Sequence, residues 1–197
     1  MVAHDLAAMC GLNVPKAEAV KFSKLGTTFL IKRFDRDGEK RIHFSSAMTM
    51  LGKRDGASAE DGSSYLEMVS FLKANGAKPQ RDLQELWKRI VFSMSVSNTD
   101  DHFRNHGFIL SDTGWELSPL YDVNPDIYGE YLSLNVDNDN SSINFRLAVA
   151  AAPFYGLNEK KAFEVVKNIA NTVKENWQLL AKKYEISRGE IERMRPA

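Results

Sequence analysis

Apolar residues recur along this chain with two periods, one of two and one near 3.6, and the switches between them outline its elements. Residues 2–10 read as the end of a helix, stopped by Gly11 with Asn13 and Pro15 close behind. Alternating, β-branched runs follow over 17–22 and 27–34. Lys24-Leu25-Gly26 between them predicts the turn of a β-hairpin, and Asp35-Arg36-Asp37-Gly38 ends the second strand with turn chemistry. The spacing of Phe44, Ala47, Met48 and Leu51 predicts a short helix within 43–51, and the polar, glycine-rich stretch 52–64 predicts a mobile surface loop.

From there the pattern is mainly helical. Helices are predicted at 65–74 and 81–96. The second carries Leu83, Leu86, Trp87, Ile90, Val91 and Met94 on one face, with Asp82 and Glu85 where a helix N-terminus favours acid. A polar loop at 97–106 leads to short strands at 107–110 and 115–117 about a turn at 111–114; residues 118–129 read as irregular. A long amphipathic helix is expected over 159–184, with Ala162, Val166, Ile169, Val173, Trp177 and Leu180 in line. The expected fold class is mainly α within α+β, with no internal repeat.

Composition narrows the function. With 43% hydrophobic residues in 197, there is apolar material for one core, or one lobe of a larger machine. Lys plus Arg and Asp plus Glu are each 26, so no global basic field is available for a polyphosphate backbone, which argues against direct nucleic-acid binding. Cys10 has no second cysteine to pair with and sits in an apolar stretch, so it reads as a buried small hydrophobe in a reducing, cytoplasmic setting. No apolar run approaches a membrane-spanning length, and the first residues lack the order of a secretory signal; neither membrane nor export is expected.

The polar groups that carry chemistry concentrate in Asn98-Thr99-Asp100-Asp101-His102-Phe103-Arg104-Asn105 and in Pro119-Leu120-Tyr121-Asp122. Phosphoryl transfer needs a carboxylate to orient or deprotonate the attacking hydroxyl, and hard oxygen ligands that hold magnesium against phosphates. Asp100, Asn105 and Asp122 supply those residue types. An Asp followed five residues later by an Asn, between a buried helix and a hairpin, is the pattern of a protein-kinase catalytic loop, and the hairpin would return Asp122 toward Asn105. The plainer reading is that Asp100 and Asn105 cap turns and Asp122 makes an Asx-turn before Pro125.

The segment 97–105 resembles the catalytic loop of HipA-family serine/threonine kinases, and Leu117-Ser118-Pro119-Leu120-Tyr121-Asp122-Val123 resembles that family's metal-binding segment. Gly11-Leu12-Asn13-Val14-Pro15 is similar to its helix-to-strand connection and Ile31-Lys32-Arg33-Phe34-Asp35-Arg36 to its hinge; the likeness continues through His43 and, more faintly, to Trp177. The resemblance implies a kinase C-terminal lobe over 1–197. Residues 1–40 would be the end of the N-lobe and the hinge, and 41–197 a helical lobe with catalytic loop 97–106 and metal segment 119–123. It implies Asp100 and Asn105 as catalytic residues, Asn105 and Asp122 as magnesium ligands, and Lys32, Arg33, Phe34, Asp35 and His102 as ATP contacts. The implied partners are a protein with a Ser or Thr acceptor, an N-terminal lobe subunit and an antitoxin.

The chain departs from a full kinase pattern. A phosphate-covering loop, a strand lysine and a helix glutamate are not visible in it, and Lys32 falls at the hinge, so those parts are expected upstream of Met1, as in a fragment or split subunit. Phe44-Ser45-Ser46 stands where the family often has an acidic pair. The alternative function is a pseudokinase-like interaction module without catalysis; a third is a metal-dependent phosphoester hydrolase.

Other motifs have bland readings. Asn135 to Asn140 is rich in oxygen ligands but lacks the EF-hand glycine and terminal glutamate, which favours a solvated turn. His102 and His106 would need a third ligand to hold zinc. Trp87, Trp115 and Trp177 read as core anchors, and Lys160, Lys161, Lys167, Lys174, Lys182 and Lys183 as a solvated helix face. Ser58, Ser63 and Ser64 are either a flexible linker or acceptors of self-modification.

Overall fold

The computed structural model describes residues 1–24 and 26–195. Helix α1 (Val2–Met9) is stopped by Gly11, whose φ of +71° is the left-handed conformation that glycine adopts without a Cβ penalty. Strands β1 (Ala17–Ser23) and β2 (Gly26–Ile31) form an antiparallel hairpin that pairs Ala17 with Ile31 and Val20 with Thr28. Of the expected turn Lys24-Leu25-Gly26, Leu25 lies outside the described residues. β2 ends at Ile31 rather than at 34; the chain leaves it for a two-residue ladder, β3 (Arg36–Asp37) and β4 (Lys40–Arg41). Every residue of β2 is exposed, and so is Phe22 on β1.

The short helix expected within 43–51 is present only in the second half of that stretch. Residues Phe44–Ser46 form strand β5, and only Ala47–Met50 is helical (α2), capped by the Ser46 hydroxyl, which accepts the Thr49 N–H. Packing decides this: β5 joins β6 (Gly107–Ser111) and β7 (Gly114–Leu117) in a three-stranded antiparallel sheet of order β5-β6-β7. The Phe44 ring lies so close over Gly107 that a Cβ there would come within 2.3 Å of it. A helical period in four residues carries too little weight against that ladder.

Helix α3 (Tyr65–Asn75) opens with a capping box between Ser64 and Glu67, and α4 (Pro79–Ser95) opens on Pro79, which has no N–H to leave unpaired. Then come α5 (Phe145–Ala151), α6 (Glu159–Lys183) and α7 (Arg188–Arg193). α5 and α7 are invisible in the periodicity because α5 buries only Ala148 and Ala151 and α7 buries nothing. The core forms where α4 meets α6, α5 and the end of β7. Trp87 is fully buried there and donates Nε1–H to the Ala148 carbonyl at 2.8 Å. Trp115 and Trp177 are half-buried and pack against this core. Cys10 is buried, its thiol pushed up to about 11 by that burial, and the six lysines of α6 named above are exposed.

The stretch 52–64 is largely exposed, as its composition suggests, but it is pinned at its end. Ser63 and Ser64 are buried, a 3-10 turn forms at Ala59–Asp61, and Ser63 and Tyr65 exchange backbone hydrogen bonds with Asn135. Asn135 is therefore buried too. The solvated turn begins only at Asp137, whose Oδ1 accepts the N–H groups of Asp139 and Asn140.

Trp87→Ala is expected to destabilise the protein by about 3–5 kcal/mol, because it removes the largest core side chain and orphans the Ala148 carbonyl. Denaturant unfolding of the two proteins measures it.

Candidate functional site

The polar loop 97–106 leaves the end of α4 and returns as β6, and a buried carboxylate fixes its course. Asp101 is 2% exposed. Its Oδ2 accepts the Tyr65 hydroxyl from α3 at 2.7 Å and the Ser93 hydroxyl from α4 at 3.3 Å, while Oδ1 lies 2.9 Å from Nε2 of the fully buried His106. The His106 ring faces this oxygen without being aligned for a hydrogen bond to it. Burial opposes the Asp101 charge, yet the His106 ring and the two hydroxyls outweigh it and hold the carboxyl below its ordinary range.

These anchors sit one residue after the residues of interest. Asp101 follows Asp100, and His106 follows Asn105. With Asp101 turned inward, the Asp100 side chain is 73% exposed, with His102 Nε2 at 3.7 Å from its Oδ1. Asn105, within the 3-10 turn Phe103–Asn105, donates Nδ2–H to the Asp100 carbonyl at 2.8 Å. That bond fixes the amide of this buried side chain. His102 Nδ1 is buried with no protein partner.

Asp122 is brought to this loop by its neighbours. The Tyr121 hydroxyl donates to the Arg104 carbonyl at 2.8 Å, and burial raises its pKa well above the ordinary value, keeping it a donor. Asn98 Oδ1 accepts the Asn124 N–H at 3.1 Å, and the Ser97 carbonyl accepts the Asp126 N–H at 2.8 Å. Asp122 itself has φ +56° and is exposed. This left-handed conformation is strained for most side chains and least so for Asp, Asn and Gly. Gly129 passes so near that a Cβ would meet the Thr99 side chain at 2.3 Å.

A polar stripe on α4 braces the same segment from below. Asp82 Oδ2 accepts the Leu117 N–H, Glu85 Oε1 accepts the Asn13 N–H, and Arg89, 1% exposed, pairs with Glu85 and donates Nη2–H to the Ser118 carbonyl at 2.7 Å. Asp82 and Glu85 thus have specific partners beyond the helix dipole that their position suggests. The Leu120 N–H completes the brace by donating to the Asn13 carbonyl.

The hinge stretch 32–35 lies alongside. The Lys32 N–H donates to the Lys16 carbonyl, and the Asp35 carboxylate is gripped by Arg33 and Arg36, which hold it below its ordinary range. Phe34 sets its ring edge-on to Phe44 at 5.4 Å and tilted against Tyr121 at 5.7 Å, so an aromatic cluster joins this stretch to the segment that carries Asp122.

A zinc reading fails on geometry, since His106 is buried on Asp101 while His102 faces Asp100 and Arg104. Among the described residues no three His, Cys, Asp or Glu gather as a metal site. The Asn105 amide and the Asp122 carboxylate are hard oxygen donors of the kind magnesium takes, one or two from protein and the others from water and phosphates. Sequence reasoning missed Tyr65, Ser93 and Arg89 altogether and, for Asp101, His106 and Tyr121, the contacts by which they support the loop. One signal was present: Asp101 and His106 repeat the five-residue spacing of Asp100 and Asn105, shifted by one.

A helical lobe with an Asp-x4-Asn loop, a small sheet beside it and an aspartate segment pinned against that loop is a protein-kinase-like C-terminal lobe. Residues 1–177 match the HipA-like C-terminal domain family, and the chain belongs to that family. It is 28% identical over 168 residues to the serine/threonine-protein kinase toxin HipA of Shewanella oneidensis, covering 73% of this chain and 39% of that protein. It is also 28% identical over 123 residues to a putative kinase of Haemophilus influenzae, covering 57% of this chain and 36% of that protein. The chain therefore spans well under half the length of these relatives. Among solved structures, HipA of S. oneidensis in complex with HipB and operator DNA matches with a TM-score of 0.76 at 23% identity, over 90% of this chain and 47% of that one. The proinflammatory kinase CtkA of Helicobacter pylori matches with a TM-score of 0.56 at 10% identity, over 94% of this chain and 86% of that one. At these identities the structures speak for the fold.

Adjacent aspartates provide a test of the anchoring. Asp101→Ala is expected to cost about 3–5 kcal/mol of unfolding free energy, because it strips three buried groups of their partner, while Asp100→Ala next to it leaves stability nearly unchanged. Parallel denaturant titrations of the two variants compare them.

Proposed function

We propose that this chain is the catalytic-loop half of a serine/threonine protein kinase that transfers the γ-phosphoryl group of ATP to a protein hydroxyl. The observation that carries the reading is the pinning of Asp122 to the loop: the Tyr121 hydroxyl on the Arg104 carbonyl and Asn124 on Asn98 bring the aspartate segment beside the loop that bears Asp100 and Asn105. In this role Asp100 accepts the proton of the attacking hydroxyl and orients it. Asn105 Oδ1 and the Asp122 carboxylate hold magnesium, which neutralises charge on the phosphates when bound. His102, beside Asp100, meets the nucleotide's phosphates, and residues 32–35 meet the adenine and ribose.

The parts that cover the phosphates come, in this proposal, from an N-terminal lobe, in the same polypeptide or a separate subunit. The hairpin β1–β2 supports this, since an isolated two-stranded ribbon with an exposed strand is marginal by itself and needs a covering layer. A HipB-like antitoxin is a further proposed partner, by analogy with the complex in which the S. oneidensis protein was solved. No helix among the described residues is long and apolar enough to cross a membrane, which accords with a cytoplasmic kinase.

The second reading, an interaction module without catalysis, rests on the same exposed hairpin. Magnesium-dependent ATP binding, measured by calorimetry on the chain together with its N-terminal lobe, separates the two: the kinase binds and the module does not. In that complete enzyme Asp100→Asn is expected to lower phosphotransfer by on the order of 10²–10⁴-fold with ATP binding retained. Asp122→Ala is expected to abolish the magnesium dependence of binding. An unchanged rate in Asp100→Asn would remove the catalytic assignment.

A further inference from the structure

Two non-glycine residues around the loop 97–106 are held in the left-handed conformation, Ser97 with φ +49° and Asp122 with φ +56°. That conformation is costly for an L side chain, and here it frames a clasp between two segments. The turn at Ser97 folds Asn98 back onto α4, where its N–H donates to the Ser93 carbonyl at 2.8 Å and the residue is 1% exposed.

A buried asparagine must satisfy both ends of its amide. The Asn124 N–H can only donate, so the Asn98 atom that receives it at 3.1 Å is Oδ1. The other end of that amide therefore points inward and donates Nδ2–H to the Ser93 hydroxyl at 3.3 Å. Ser93 keeps its own proton for Asp101 Oδ2, also at 3.3 Å. On the outer side, the Asn124 side chain donates Nδ2–H to Asp122 Oδ1 at 2.8 Å. A line of matched donors and acceptors thus runs from the buried Asp101 through Ser93, Asn98 and Asn124 to the exposed carboxylate of Asp122.

The two carboxylates at its ends differ in what they lack. Asp101 is held from several sides, whereas Asp122 is exposed, and an exposed carboxylate loses side-chain freedom when it takes up a ligand. A hydrogen bond from another exposed side chain restrains it only if that side chain is itself fixed. Asn124 is fixed at its backbone: its N–H rests on the buried Asn98, and the Asp126 N–H two residues on rests on the Ser97 carbonyl at 2.8 Å. We infer that Asn124 and Asn98 are positioning residues for magnesium binding, Asn124 by orienting the Asp122 carboxylate and Asn98 by holding Asn124. This rests on the kinase reading above. Groups that grip a metal ligand in this way set its orientation before the metal arrives, and their loss typically lowers metal affinity by about 10–100-fold.

The test uses the complete kinase, this chain with its N-terminal lobe, and reads the magnesium concentration that gives half-maximal ATP binding by calorimetry. Asn124→Ala removes an exposed side chain and keeps the N–H on Asn98. It is expected to raise that concentration about 10-fold, with the melting temperature unchanged and excess magnesium restoring ATP binding. Asn98→Ala is expected to raise it further, toward about 100-fold. Asn98→Ala also leaves the Asn124 N–H unpaired and lowers stability, so Asn124→Ala carries the test if the other variant does not fold. A second readout needs neither metal nor nucleotide: hydrogen exchange at the residue 124 amide is expected to quicken in Asn98→Ala and to stay slow in Asn124→Ala. An unchanged magnesium requirement in folded Asn124→Ala overturns this inference and leaves the kinase reading standing, and so does a loss of ATP binding that excess magnesium does not restore. Failure of the parent to bind ATP at any magnesium concentration overturns the kinase reading and this inference with it.

Discussion

A buried carboxylate that must keep its charge organises this lobe. Asp101 is removed from water, and a lone carboxylate there would be untenable; it persists because Tyr65, Ser93 and His106 surround it. Those partners come from α3, from α4 and from the residue just before β6, so satisfying one side chain ties three parts of the chain together at one point. Because Asp101 and His106 each follow a residue of interest, their mutual contact also fixes the separation of the backbone positions that carry Asp100 and Asn105. The loop has little regular structure, yet its ends have little freedom.

The second constraint is the charged stripe on α4. An Arg and a Glu placed in a core-facing helix would be a poor way to gain stability, since the cost of removing both from water consumes most of their attraction. Here they serve position: Glu85 and Arg89 hold Asn13 and Ser118, and Asp82 holds Leu117, so the connection after α1 and the entry to the Asp122 segment rest on one rigid rod. Burial lowers the Arg89 pKa even as Glu85 supports its charge.

Much of the fold was legible in the sequence. Long periodic stretches such as α4 and α6 announced themselves, and so did the hairpin of β6 and β7, because each buries a face that its period must match. The failures have physical causes. The 43–51 pattern looked helical, but the Phe44 ring needs the surface that Gly107 leaves open, a pairing some sixty residues away that no local window contains. The stretch 52–64 reads as solvated because glycines and serines give no periodic signal, and most of it is exposed, but Asn135 pairs with the backbone at its end, where Ser63 and Ser64 are buried. At the candidate site, type and spacing were enough to single out Asp100, Asn105 and Asp122 as candidates. They were not enough for the supports, because a Tyr, a Ser and an Arg on helix faces carry no mark of the partner they will meet.

The hairpin β1–β2 runs directly into residues 32–35, with the Lys32 N–H continuing its ladder onto Lys16. Stiffening the ribbon and stiffening the stretch beyond it are therefore one event, with a single entropy cost. Any molecule that covers the ribbon and any ligand that meets residues 32–35 share that cost, and whichever binds first spares the other. By thermodynamic reciprocity the two affinities would then rise by the same factor, a positive linkage that follows from one shared stretch of backbone.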